Sequence, residues 1–268
     1  MSRRTTLSAV LGTLLAATLT ACGGGGDENA TVQGAKLVKA GQITTCTHLP
    51  YPPFQSEQGG KVVGFDVDLI DLVAKKLGVK QEIIDTPFET IKTGSALNAG
   101  KCDVAAAGMT IKPDRAKFID FSQPYFDATQ AVMAAKGKEW KTIEDLKASG
   151  VKVGTQASTT GEEYARGKGV DSISFKDSAA LLNGLRTKRV EAVILDYPVI
   201  QGWLKSADNA AYAVAGQFDT GEQYGFAVRK AQNPELLKTI NEVVGQARQD
   251  GTYKTIYEKW IGPMPEDG

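Results

Sequence analysis

The sequence predicts an α/β fold with mostly parallel sheets, divided into two lobes. Short β-rich runs alternate with amphipathic helical patterns along the chain, the signature of parallel sheets flanked by helices. At 268 residues, the chain exceeds the roughly 100–200 residues of a single domain. Its composition, 42% hydrophobic, 23% charged and 7% aromatic, is that of a soluble globular protein, which excludes disordered and collagen-like chains.

The first strand is Gln42 to Thr47. A helix from Asp66 to Leu77 follows, with Leu69, Ile70, Leu72, Val73 and Leu77 on one stripe and Gly78 as its stop. A strand near 79–84, a helix near 89–99 and a strand at 104–107 come next. After Lys136, Thr142 to Asp145 has the spacing of a capping arrangement at a helix start. Strands at 151–154, 172–175 and 192–195 are separated by helices near 160–167 and 178–188. A strand around 224–228 leads into a long amphipathic helix from Pro234 to Gln249, with Leu236, Leu237, Ile240, Val243, Val244 and Ala247 facing inward and Gly251 ending it. The pattern gives the fold class but does not assign segments to lobes.

The N-terminus reads as an export signal. Arg3 and Arg4 precede an uncharged stretch, Thr5 to Ala21, and Leu19-Thr20-Ala21-Cys22 ends it. The stretch is too short and too rich in Thr, Ser and Gly for a membrane span. It resembles a lipoprotein signal peptide, which implies that residues 1–21 are removed and that Cys22 is acylated and becomes the N-terminus. Residues 22–40, opening on Gly23 to Gly26, read as a lipidated terminus and flexible tether. The whole chain carries 31 Lys+Arg against 31 Asp+Glu. Removing the leader with its two arginines leaves 29 against 31, a mildly acidic body, so no broad basic field is available for nucleic acid.

Cys46 and Cys102 remain. An oxidising compartment favours pairing them, whereas their placement on two parallel strands argues partly against it, and both readings stay open. With one His in the chain and no close cysteine spacing, no metal site is expected. Asp66, Asp68 and Asp71 look like a cation cluster but read more economically as a helix cap and a solvated face.

Several motifs occur in a telling order: Tyr51-Pro-Pro-Phe54, Val63-Gly-Phe-Asp-Val-Asp68, Leu97 to Asp103, Gly108-Met-Thr-Ile-Lys-Pro-Asp-Arg115, Phe121-Ser-Gln-Pro-Tyr125, Val153 to Thr160, Val190 to Asp196, and Asp250-Gly-Thr-Tyr253 with Trp260. From about residue 41 to 262 this resembles the amino-acid-binding periplasmic proteins of ABC importers, solute-binding protein family 3. The resemblance implies a type II two-lobed clamshell: lobe 1 of residues 41–129 plus 221–262, lobe 2 of residues 130–220, and two hinge strands. It also implies a monomer that binds an amino acid between the lobes and presents it to a membrane permease. Phe121 to Tyr125 reads as packing beside the hinge.

An α-amino acid presents a carboxylate, an ammonium and a side chain, and candidates for each are present. Arg115 is a planar fork suited to a carboxylate, and Thr159 and Thr160 precede a helix whose free N–H groups favour an anion. Because Arg115 and Thr160 are expected in different lobes, a carboxylate bridging them would hold the cleft shut. Asp196, at the end of a strand, is placed to take the ammonium with the Gly108 carbonyl and the Thr110 hydroxyl. Tyr51 and Phe88 resemble the aromatic walls that sandwich a ligand's carbon chain. His48 is a departure: relatives that bind basic amino acids usually carry an acidic residue there. That weakens Lys, Arg and ornithine as ligands and favours polar, acidic or other non-basic ones. A receptor for a non-proteinogenic zwitterion, or an enzyme on the same fold such as a cyclohexadienyl-dehydratase-like lyase, is the alternative. No acid/base constellation, nucleophile motif or cofactor signature accompanies the motifs, so neither catalysis nor a cofactor is expected.

Overall fold

The computed structural model describes residues 30–265. The leader, Cys22 and the glycines after it lie outside them. The chain begins with a hairpin, β1 (Ala30–Val32) and β2 (Ala35–Leu37), then β3 (Gln42–Thr47), a second small hairpin β4 (Ser56–Gln58) and β5 (Lys61–Val63), and α1 (Phe65–Leu77). There follow β6 (Lys80–Asp85), α2 (Phe88–Lys92), α3 (Ser95–Asn98), β7 (Val104–Ala105), a 3₁₀ turn at Arg115–Lys117, and β8 (Ile119–Phe121). The long β9 (Phe126–Ala135) leads to α4 (Ile143–Ala148), β10 (Val153–Gln156), α5 (Thr160–Gly167), β11 (Ser172–Phe175), α6 (Ser178–Arg186), β12 (Ala192–Asp196) and α7 (Tyr197–Leu204). The equally long β13 (Tyr212–Tyr224) returns to β14 (Ala227–Arg229), α8 (Pro234–Gln249) and α9 (Thr252–Trp260).

Two five-stranded sheets result, ordered β6-β3-β7-β14-β8 and β11-β10-β12-β9-β13. In each, four strands run one way and a single strand, β14 or β9, runs against them. The mostly parallel sheets expected from the alternating pattern are therefore present. The chain leaves the first sheet after β8, enters the second along β9 and comes back along β13. These two strands pair antiparallel down to Phe126 opposite Tyr224, so both passages between the sheets lie side by side. Aromatic rings fasten this crossing. Phe126 stacks on Tyr224 at 5.6 Å, and Phe54 meets both edge-on at 5.0 and 5.2 Å, contacts worth about 0.5–1.5 kcal/mol each beyond area burial. Tyr125 stacks on Phe226 at 4.0 Å, in keeping with packing beside the crossing.

Most helices follow the sequence pattern. In α1, Leu69, Ile70, Val73 and Leu77 are buried, and α8 spans Pro234–Gln249 with Leu236, Ile240, Val244 and Ala247 buried. Thr142 and Asp145 form the reciprocal capping box of α4. Two expectations are corrected. The helix expected over 89–99 is two short ones, because Gly94 takes a left-handed φ of 72° where a Cβ would stand 2.7 Å from Ile119. Residues 30–37, assigned to the tether, form a hairpin. Ala35 and Leu37 are buried in the core, and Asn233 bonds both backbone groups of Lys36. Of the two readings open for Cys46 and Cys102, the structure has the disulfide, with Cα atoms 5.7 Å apart. Cys102 lies in the connection ahead of β7 and not in the strand, so strand register does not hold it away.

Candidate functional site

One cleft gathers all nine residues singled out from the sequence: His48, Tyr51, Phe88, Gly108, Thr110, Arg115, Thr159, Thr160 and Asp196. Topology explains the convergence. His48 follows β3, Phe88 follows β6, Gly108 follows β7, Thr159 follows β10 and Asp196 ends β12. The C-terminal ends of parallel strands from both sheets thus open on one crevice, where open α/β sheets place their ligands. Gln55, Ala107 and Gln156 complete the lining.

Arg115 is only 3% exposed. Its Nη1 donates to the Thr110 carbonyl at 2.9 Å and its guanidinium lies 5.5 Å from the Phe88 ring centre. Its Nε and Nη2 are buried without a partner. Burial lowers its pKa, while Glu163, Asp114, Glu222 and Asp196 oppose the shift. Buried donors left unpaired cost about 1–3 kcal/mol each, more on a charged group, so the free edge of this fork is suited to receive an anion. Thr159 caps α5, accepting from the Glu162 N–H. The first N–H groups of that helix have no intrahelical acceptor.

Asp196 faces the cleft at 3% exposure. It accepts from the hydroxyls of Tyr51 at 2.7 Å and Tyr224, and from the Gln130 amide. Burial raises its pKa to about 6, the charge of Glu222 adds to the rise, and the three hydrogen bonds oppose it. Gln130 also donates to Glu222 at 3.0 Å. Gly108 has a φ of +54°, and a Cβ there would stand 3.2 Å from the Tyr51 ring, so a side chain would push against the aromatic wall.

His48 shares its Nδ1 hydrogen bond with the Thr86 carbonyl at 3.2 Å, and Nδ1 is 3.9 Å from Asp85. Its Nε2 is buried without a partner, as are Oε1 of Gln55 and Oε1 of Gln156. With a proton on Nδ1, this part of the lining presents three acceptors and no carboxylate.

Asp66 is not a helix cap. It is fully buried, and its carboxylate accepts from the Gly108 N–H at 2.8 Å and the Tyr125 hydroxyl at 2.7 Å. Burial raises its pKa to about 7. It holds the backbone turn that enters the site. Asp68 instead bonds Lys259 and Trp260. Among the described residues, no group of three or more His, Cys, Asp or Glu is arranged to hold a metal, and no helix is long and apolar enough to cross a membrane.

Sequence reading missed Gln55, Gln130, Gln156, Glu222 and Tyr224. Gln156 lies inside the Val153–Thr160 motif, and its place four residues before Thr160 was the available signal. Gln130 and Glu222 sit on β9 and β13, where no periodicity marks a binding position.

The sequence profile of the bacterial extracellular solute-binding proteins, family 3, matches residues 43–263. A probable histidine-binding protein of Neisseria gonorrhoeae is 33% identical over 251 residues, 91% of this chain and 90% of that protein. An ancestral arginine-binding protein solved with glutamine bound has a TM-score of 0.76 at 42% identity, covering 83% of this chain and 98% of that one. An ancestral amino-acid-binding protein described as a precursor of cyclohexadienyl dehydratase has a TM-score of 0.74 at 36% identity, covering 82% and 95%.

Proposed function

We propose that this chain, which belongs to the bacterial extracellular solute-binding proteins of family 3, captures a free non-basic amino acid in its cleft and hands it to an ABC importer. The fold is the type II periplasmic-binding-protein clamshell. In this reading residues 41–129 plus 221–262 and residues 130–220 close as two lobes about β9 and β13. The observation that carries it is the pair of unpartnered guanidinium N–H groups on Arg115, in the same cleft as the acidic Asp196. A cation and an anion on one small cleft complement a zwitterion. The α-carboxylate takes the free edge of Arg115 and the first N–H groups of α5. The ammonium meets Asp196, the Gly108 carbonyl and Thr110, and the carbon chain lies between Tyr51 and Phe88.

The side chain then extends toward His48, Gln55 and Gln156. Three uncharged acceptors suit a polar group with N–H donors, and a full positive charge would be buried there without a counter-charge. That favours an uncharged polar side chain over a lysine or arginine type. The relatives are binding proteins by name, and nucleophile, base and orienting group are not assembled in the cleft, so the reading is of a receptor and not a lyase. Cys22, with the lipobox-like residues before it, would tie this monomer to the outer face of the membrane by acylation. A thermal-shift screen of the twenty amino acids tests the reading. Stabilisation by one or a few polar members is expected, and stabilisation by none removes it.

A further inference from the structure

Glu222 lies on β13 outside the cleft lining, yet it is bound from both sides of it. Thr110, from the segment that follows β7 of the first sheet, and Thr160, opening α5 beside the second sheet, each donate a hydroxyl to its Oε2 at 2.7 Å. Gln130 on β9 and Thr220 donate to Oε1, each at 3.0 Å. Glu222 is 9% exposed, and no cation pairs with it among the described residues. The other charged or titratable groups around it are Asp196, Arg115, Tyr51 and Tyr224. It thus joins the two strands of the crossing to both walls of the cleft. Its four donors are three hydroxyls and an amide.

A hydroxyl has one proton and two lone pairs. Once its proton points at a carboxylate, only lone pairs remain for the cleft. Thr110 Oγ1 and Thr160 Oγ1 both line the cleft and both have spent their protons on Glu222. We propose that Glu222 is a positioning residue for substrate selection: it locks Thr110 and Thr160 as acceptors, so the cleft end near Asp196 takes an ammonium and rejects a group that must itself find a donor. The inference rests on the reading of the cleft as an amino-acid site and extends it to discrimination between 2-amino acids and 2-hydroxy acids. Thr160 then contributes backbone N–H groups to the carboxylate, not its hydroxyl.

Glu222→Gln tests this, because Thr110 and Thr160 share Oε2 while the Gln130 amide, itself held on Asp196, donates to Oε1: the amide oxygen keeps the Gln130 bond, the NH₂ stands where Oε2 was, and the threonine protons turn back into the cleft. Calorimetry with L-glutamine and L-histidine, and with the 2-hydroxy analogue of each, reads the effect. Affinity for the amino acids should fall about 10- to 100-fold, the range for one hydrogen bond to a charged group, while affinity for the hydroxy analogues stays the same or rises. Thr110→Val should bring a comparable loss, and Glu222→Gln in the Thr110→Val background should add no more than about twofold. Equal losses on amino and hydroxy ligands, or fully additive losses, overturn the proposal. If Glu222→Gln does not fold, Thr110→Ser and Thr110→Val decide: retained discrimination in the serine variant and lost discrimination in the valine variant is expected, and retained discrimination in both overturns it. Failure of the wild type to bind any of the twenty amino acids removes the underlying reading as well. Binding to the wild type without preference over the hydroxy analogues removes this inference alone.

Discussion

Tyr51 and Asp196 meet across the cleft, the phenol donating to the carboxylate at 2.7 Å. Tyr51 follows the first strand of one sheet and Asp196 ends β12 of the other, so a single hydrogen bond joins the two walls. Lys112 with Glu163, and Ser158 with Glu89, make further links between the two walls. The polar groups around Asp196 thus bond one another, whereas Nε and Nη2 of Arg115 have no partner.

The open fork of Arg115 makes the first prediction. Arg115→Lys keeps the charge but loses the planar pair of donors, and amino-acid affinity measured by calorimetry should fall about 10- to 100-fold. Ligand-free stability should change by less than about 1 kcal/mol, since the wild-type side chain buries two unpaired donors. A large loss of stability with unchanged affinity would make Arg115 a structural residue.

Asp196 gives a pH dependence. Its folded pKa is raised to about 6, so the carboxylate is charged above that value and takes a proton below it. Affinity for an α-ammonium should therefore be constant from about pH 7 to 8 and fall as pH drops through 6. The same raised pKa makes burial of Asp196 in the ligand-free protein less favourable as pH rises from about 4 to 6. Titrations of the wild type and Asp196→Asn should differ in this window, and parallel curves would contradict the assignment.

His48 reads the far end of the ligand in this account. His48→Ala should weaken the best ligand by about tenfold or more, the scale of one buried hydrogen bond, and leave alanine or glycine nearly unaffected. Equal losses across all ligands would reduce His48 to a support for Thr86.

The Cys46–Cys102 disulfide closes a loop with a sequence separation of 56 residues. In the chain-entropy picture this constrains the unfolded state by about 4 kcal/mol. Urea unfolding of the oxidised protein and the Cys46→Ala/Cys102→Ala variant should differ by an amount of that order. Coincident midpoints would show that the bridge adds nothing.

Much of the fold and site was legible because helices and parallel strands leave periodic marks, and because the site residues sit in motifs at strand ends. Thr160 and Asp196 were singled out that way and Arg115 from its motif, and the structure brings the three to one cleft. Of the five site residues missed, three lay on β9 and β13. The Ala-rich Phe126–Ala135 has little β-branched content, and Tyr212–Tyr224 carries two glycines and two shifts of register, so neither read as a strand. Gln130 and Glu222 were lost with them. Asp66 was misread because an acidic residue in a first helical turn ordinarily faces water, and only tertiary packing reveals that it holds the Gly108 turn. The disulfide stayed undecided because Cys102 lies just outside its strand, which the sequence pattern does not reveal.

The central claim is that an amino acid lies in this cleft with its carboxylate on Arg115. The most direct test is a crystal structure of the protein with the best-binding amino acid of the twenty. An α-carboxylate within hydrogen-bond distance of Arg115 Nε and Nη2 is expected, with the ammonium between Asp196 and Thr110. A ligand bound elsewhere, or in the cleft with its carboxylate turned away from Arg115, would contradict it.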